Sequence, residues 1–190
     1  SASGNIKNII ANGKEILADH YVLATGSWTR DIAKQLNLKL PMQGGKGYSF
    51  ILPNPKVNLN TSAILNEARV AITPMMHGIR FAGTMEINGL DLTINKKRVE
   101  GIANSVGKYF PQFSKEDFEG LEPWTGLRPC SPDGLPYIGR TKKYNNLLIA
   151  TGHAMLGLSL GPITGKLISQ LVTKDEIATD LTLLKVERYN

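Results

Sequence analysis

Apolar and polar positions change their period several times along the chain, and each change predicts a different element. Near the start, IKNII and KEILA flank Asn12-Gly13. An Asn-Gly pair between two short β-type runs predicts a hairpin, because both residues tolerate positive φ. His20 to Thr25 is then a nearly continuous run of β-type residues, which predicts a strand buried on both faces of a parallel sheet. Gly26 ends it, and WTRDIAKQL follows with helical character. From Pro41 to about Ile94, short runs such as KGYSFIL, TSAILN, RVAITPM and GIRFAGTMEI alternate apolar and polar positions. That texture predicts an antiparallel sheet with one face toward solvent or a cavity. In KKRVEGIANSVGKYFP, Val99, Ile102, Ala103, Val106 and Phe110 recur at helical spacing, and Pro111 marks the end. The last third repeats the opening pattern. NNLLIATGH reads as a buried-type strand running into Gly152, and GPITGKLISQLV as a helix with Pro162 near its start. Ile163, Leu167, Ile168, Leu171 and Val172 would share its apolar face.

The order is therefore α/β, β-rich, α/β, an α/β protein of α+β type overall. The expected divisions are residues 1–40, 41–125 and 126–190. The doublet Thr-Gly follows both apolar strands, at Thr25-Gly26 and Thr151-Gly152, but two residues are too short to count as a repeat.

Composition narrows the function classes. Hydrophobic residues make up 42% and charged residues 20%, as in a soluble globular protein. No apolar run approaches the roughly 20 residues that cross a bilayer. No charged-then-apolar leader opens the chain, so no secretory signal is expected. The opening Ser1-Ala2-Ser3 has the character of a cloning remnant and carries no weight. The single Cys130 excludes an internal disulfide and a multi-cysteine zinc site, and it fits a reducing compartment. The net charge of +6 invites a nucleic-acid reading, but the basic residues are scattered and their longest run is Lys96-Lys97-Arg98. No groove-reading module accompanies them, so no nucleic-acid partner is expected; attraction of anionic ligands is the milder reading. His20, His77 and His153 show no metal-ligand spacing, and no metal is expected.

Four features could carry chemistry. A strand that ends in glycine and opens a helix lets a ligand approach the backbone and meet unpaired N–H groups with partial positive charge. LLIATGHAMLGLSLGPITGK, with Gly152, Gly157 and Gly161, fits this, and VLATGSW is a second instance. An ordinary strand-to-helix connection fits both equally. The glycine-rich GGKG at Gly44–Gly47 precedes a strand rather than a helix, so it is not a nucleotide fingerprint. Arg128 in GLRPCSPDGLPYIGR is stiffened by Pro129 and Pro132 and followed by an Asp133-Gly134 turn. Its guanidinium could hold a carboxylate through two bonds, or pair internally with an acid such as Glu122 or Asp133. Tyr48 could line a cavity or fill the core, and His153 could contact a ligand or merely pack. Cys130 lacks the His/Asn surroundings of a nucleophile.

Taken together, ADHYVLATGSW, GGKGYS, RVAITPMMHGIRFAGTMEINGLD, WTGLRPCSPDGLPYIGR and NLLIATGHAMLGLSLGPITGKLISQLV resemble the C-terminal part of FAD-dependent amino-acid oxidoreductases. These are the D-amino acid oxidase, glycine oxidase and sarcosine oxidase superfamily, with bacterial D-amino acid dehydrogenases the most similar group. The resemblance covers nearly the whole chain. It implies Rossmann-type FAD-domain elements at both ends and an antiparallel substrate domain between them. It implies that Arg128 holds the substrate carboxylate, with Tyr48 lining the cavity. Gly152, His153, Leu156 and Gly157 would lie against the flavin, and Thr25, Gly26, Ser27 and Trp28 along the cofactor from the other side. The family's GxGxxG is expected upstream of residue 1, so this stretch is expected to be a fragment that is inactive alone and binds FAD weakly or not at all. The implied reaction is oxidation of the Cα–N bond of a small amino acid by hydride transfer, with oxygen or a quinone as electron acceptor. The expected location is the cytoplasm, and the basic charge would suit the inner membrane face. A same-fold flavoenzyme for a secondary amine or 2-hydroxy acid, and a non-catalytic scaffold that has lost its cofactor, are the competing readings.

Overall fold

A computed structural model of the chain describes residues 4–189, so Ser1-Ala2-Ser3 lies outside the described residues. In chain order the strands are β1 (Ile9–Ala11), β2 (Lys14–Ile16), β3 (Tyr21–Leu23), β4 (Gln43–Leu52), β5 (Ala63–Leu65), β6 (Val70–Met75), β7 (Gly78–Ile87), β8 (Trp124–Cys130), β9 (Tyr137–Arg140) and β10 (Leu147–Thr151). The helices are α1 (Thr29–Gln35), α2 (Lys96–Tyr109) and α3 (Gly157–Thr173). The chain divides into two compact units, residues 1–44 with 128–190, and residues 45–127.

In the first unit, β1 and β2 pair antiparallel, with Ala11 opposite Lys14. Asn12 at φ 52° and Gly13 at φ 74° close the turn, both in the left-handed region that suits the twist of a two-residue hairpin. A three-stranded sheet follows, in the order β3-β10-β9. β10 runs parallel to β3 and antiparallel to β9. Tyr21 and Leu23 enter a core with Ala33, Leu38, Leu40, Met42, Tyr137, Leu147, Ile149 and Val186. Val22 does not; it is 46% exposed. The expectation of a strand buried on both faces therefore fails at β3. It is the outer strand of three, and its alternation sends one residue out between two that point in.

A five-stranded sheet in the order β5-β6-β7-β4-β8 is built on the second unit, with the first two residues of β4 and the last three of β8 counted in the first. The pairs β5–β6, β6–β7 and β4–β7 are antiparallel. α2 lays Ile102, Ala103 and Val106 on the sheet, three of the five positions its period marks out, while Val99 and Phe110 pack at the margin. Phe50, Phe81, Phe113 and Phe118 complete this core, with neighbouring ring centroids 5.2–6.3 Å apart. Opposite Lys46–Tyr48, β7 carries one extra residue, and Thr84 there has φ 59°. This is a β-bulge, which re-aims the side chains beside it.

α3 begins at Gly157, five residues before Pro162. A proline reads as a helix start because its missing N–H costs nothing in the first turn. Here it sits in the second turn, where the Leu158 carbonyl goes without its usual donor. Leu167 and Thr164 are the buried residues of α3, whereas Ile163 is 42% exposed, so the expected apolar face is realised in part. No helix among the described residues is long and apolar enough to cross a membrane.

Candidate functional site

The two Thr-Gly doublets meet in space. β3 and β10 run parallel with Leu23 level with Ile149, so Thr25 and Thr151, two residues further on, come out at the same end of the sheet. A chain of hydroxyls links them. Thr151 Oγ1 donates to the Gly26 carbonyl at 3.2 Å, and Thr29 Oγ1 donates to Thr151 Oγ1 at 3.1 Å. Each hydroxyl has one proton, so in the 3.0 Å contact between Thr25 and Thr29 it is Thr25 that donates. Thr25 then offers a ligand only its lone pairs. Next to it, in the 3-10 turn Gly26–Trp28, Ser27 Oγ is buried and finds no hydrogen-bond partner among the described residues. Trp28 is 51% exposed.

After β10 the chain turns sharply at Gly152, whose φ of 84° favours glycine; an added Cβ would also lie 3.1 Å from the Tyr137 ring. The turn leads into α3 through Leu156. The first turn of α3 carries neither a side-chain cap nor an acidic residue. Its leading N–H groups have no partner within the helix and concentrate partial positive charge there. His153 is tied to this helix, with Nε2 2.9 Å from Thr164 Oγ1. Thr164 spends its single proton on the Leu160 carbonyl at 2.8 Å. His153 must therefore be the donor, which fixes the Nε2–H tautomer and leaves Nδ1 as an acceptor. Burial pushes the His153 pKa below its ordinary value, which favours the neutral ring.

Arg128 is half-buried near the end of β8. The backbone just beyond it is fastened to the turn before α3. Ala154 N–H donates to the Pro129 carbonyl at 2.9 Å, and Cys130 forms an isolated antiparallel bridge with His153. Of the two acids considered as internal partners, Asp133 is held by Arg188, with Nε to Oδ2 at 2.8 Å and Nη2 to Oδ1 at 2.9 Å. That bidentate pair drives the Asp133 carboxyl far below the usual carboxylate range. Arg128 and the glycine-rich turn at residues 152–157 thus belong to one unit and are joined through adjacent backbone.

Tyr48 belongs to the core of the second unit, at 1% exposure. Its hydroxyl donates to Glu86 Oε2 at 2.5 Å. It is a core residue with a satisfied hydroxyl, as its position among Phe50 and Phe81 requires. Beside it lies Lys46, equally buried, a residue that sequence reasoning passed over. Its ammonium donates to Asp91 Oδ2 at 3.2 Å and to the Thr93 carbonyl at 2.8 Å, with Glu86 3.6 Å away. Burial opposes this charge, but the hydrogen bond to Asp91 and the neighbouring tyrosine outweigh it and raise the Lys46 pKa. The Tyr48 hydrogen bond in turn lowers Glu86. Bonds from the Thr93 hydroxyl and backbone, then from Lys46, bring Asp91 to about 2. Acids forty and forty-five positions beyond the lysine leave no local signal; the pairing of β4 with β7 sets Glu86 opposite Lys46.

With this geometry in view, the chain belongs to the FAD dependent oxidoreductase (DAO) family, whose sequence profile matches residues 3–171. It is 39% identical over 186 residues to a D-amino acid dehydrogenase of Vibrio atlanticus (strain LGP32), a match covering 97% of this chain and 44% of that protein. A glycine oxidase structure from Geobacillus kaustophilus superposes with a TM-score of 0.79 at 27% identity, over 93% of this chain and 47% of the other. The fold of an L-proline dehydrogenase from P. horikoshii matches with a TM-score of 0.81 at 24% identity, over 97% and 50%. The chain thus spans about half the length of these relatives or less. The mixed α/β class expected from the sequence is the observed one.

The residues present suit a flavin on one flank. Ser27 Oγ is a buried polar atom without a partner among the described residues. The N–H groups that open α3 favour an electron-rich ligand, and Gly26 leaves open space where a side chain would stand.

Proposed function

We propose that the whole protein carrying this chain oxidises the Cα–N bond of a small amino acid, with FAD as hydride acceptor and Arg128 as the group that holds the substrate carboxylate. One observation carries this reading: the backbone links from Pro129 to Ala154 and from Cys130 to His153. They tie the strand end bearing Arg128 to the glycine-rich turn assigned to the cofactor.

Arg128 brings two parallel N–H donors to a carboxylate and stays charged when partly desolvated. Held on a stiff strand end, it orients the substrate Cα as well as attracting the anion, and that positioning does most of the catalysis. When bound, the flavin supplies the acceptor for the hydride leaving Cα; the imine product hydrolyses in water to a keto acid and ammonia. Thr25, Gly26, Ser27 and Trp28 would hold one side of the cofactor, and Gly152, His153, Leu156 and Gly157 the other. The first turn of α3 would favour negative charge on the bound group. His153 adds an acceptor there without adding a charge. The electron acceptor is oxygen or a quinone, and a quinone would place the protein at the inner membrane face.

The test is anaerobic mixing of the FAD-loaded whole protein with D- and L-amino acids, sarcosine and 2-hydroxy acids. The flavin colour should bleach with a primary amino acid, and Arg128→Ala should lower kcat/KM by roughly 10- to 150-fold, the range for a charge-assisted contact. Bleaching by sarcosine or hydroxy acids alone would move the substrate class. An unaffected Arg128→Ala variant would remove the assigned role.

A further inference from the structure

The C-terminal segment makes one contact that bears on Arg128 from a distance. Arg188 has five N–H donors, and all five are used. Nε and Nη2 bind the two oxygens of Asp133 at 2.8 and 2.9 Å. Nη2 also donates to the Leu135 carbonyl at 2.7 Å. Nη1 donates to the carbonyls of Pro136 at 3.2 Å and Lys185 at 3.3 Å. The guanidinium lies over the Tyr137 ring, 3.9 Å from its centroid. The Arg188 side chain keeps 10% of its exposure.

Four of the five bonds fall on residues 133–136, the turn between β8 and β9. That turn is already shaped locally: Gly134 has φ 76°, and Asp133 Oδ1 accepts the Leu135 N–H at 3.0 Å. Ser131 Oγ lies 3.1 Å from Asp133 Oδ1 and 2.7 Å from the Leu135 carbonyl. A turn this well bonded within itself would not need an arginine 55 residues away merely to exist. What Arg188 adds is a fixed place for the turn, against the Tyr137 ring at the start of β9. Arg128 stands five residues before Asp133, on the strand that leads into that turn.

We propose that Arg188 is a positioning residue for Arg128: by clamping the Asp133–Pro136 turn to the C-terminal segment, it sets where the end of β8 presents its guanidinium to a carboxylate ligand. The inference rests on the reading of Arg128 as a carboxylate anchor. Lysine could not replace Arg188, since an ammonium lacks both the fork and the flat face that lies on Tyr137.

The experiment uses the FAD-loaded whole protein and compares an amino acid with the corresponding amine that lacks the carboxylate. Arg188→Leu should raise KM for the amino acid by about tenfold and leave the amine's kinetics within about twofold. Arg188→Lys, which keeps the charge and most of the stem, should fall between the two. In both variants the Leu135 amide should exchange its hydrogen faster. Arg128→Ala serves as the control. If Arg128→Ala shows the carboxylate-selective loss and the Arg188 variants do not, the clamp is structural and this inference fails alone. Equal losses on amino acid and amine in the Arg188 variants also overturn it. If Arg128→Ala shows no selective loss, both readings fall. Should Arg188→Leu not fold, Arg188→Lys and Asp133→Asn decide the matter by the same comparison.

Discussion

His153 shows how much a single proton can settle. Because Thr164 gives its hydrogen to the Leu160 carbonyl, the ring must donate from Nε2 and keep Nδ1 bare. The ring 15N resonances should therefore show a protonated Nε2 and an unprotonated Nδ1 at pH 7, and Thr164→Val should mix the tautomers. A protonated Nδ1 in the parent protein would contradict the assignment. None of this was legible in the chain: Gly152, His153 and Gly157 could be read as a turn, but Thr164 lies eleven positions on and carries no motif. Arg188 and Asp133 are further apart still, and nothing near Lys46 in the chain points to its acids at 86 and 91.

Elements written in local terms were the legible ones. The Asn12-Gly13 hairpin follows from two residues that accept positive φ, and α2 from a 3.6-residue period ended by Pro111. β3 was misread because whether Val22 is covered depends on which strands and helices stand beside it, and the residues of β3 do not encode that. The start of α3 was misread because Pro162 marks a first turn more often than a second. The part of α2 that was read correctly makes a stability prediction. Ile102 is 1% exposed in the core of the second unit, so Ile102→Ala should cost about 2–5 kcal/mol in a denaturant titration. A loss under about 1 kcal/mol would mean that α2 is not packed as described.

Across the molecule, the shifted groups share one sign on the acid side. His153 is depressed by burial, so the unfolded chain takes up its proton first and stability should start to fall as pH drops below about 6.5. Glu86, Asp91, Asp117 and Asp133 are depressed by hydrogen bonds to Tyr48, Thr93, Lys56 and Arg188 respectively. They should add a second, steeper fall below about pH 4.5. Tyr137, pushed up to about 12 by burial, should bring a loss above pH 10. Denaturant midpoints measured across pH would check this, and His153→Gln should flatten the first fall alone. A midpoint that rises on acidification would contradict the assignments. The family was legible in whole motifs spread over both units, whereas the substrate and the electron acceptor were not, since they depend on residues whose partners no motif names.

The role of Arg128 is decided most directly by a ratio. In the whole protein, kcat/KM for an amino acid is divided by kcat/KM for the amine that lacks its carboxylate, first with Arg128 and then with alanine in its place. Carboxylate anchoring requires that ratio to drop by at least about tenfold in the variant, with the amine nearly unaffected. A ratio unchanged by the substitution would mean that the guanidinium does not touch the carboxylate.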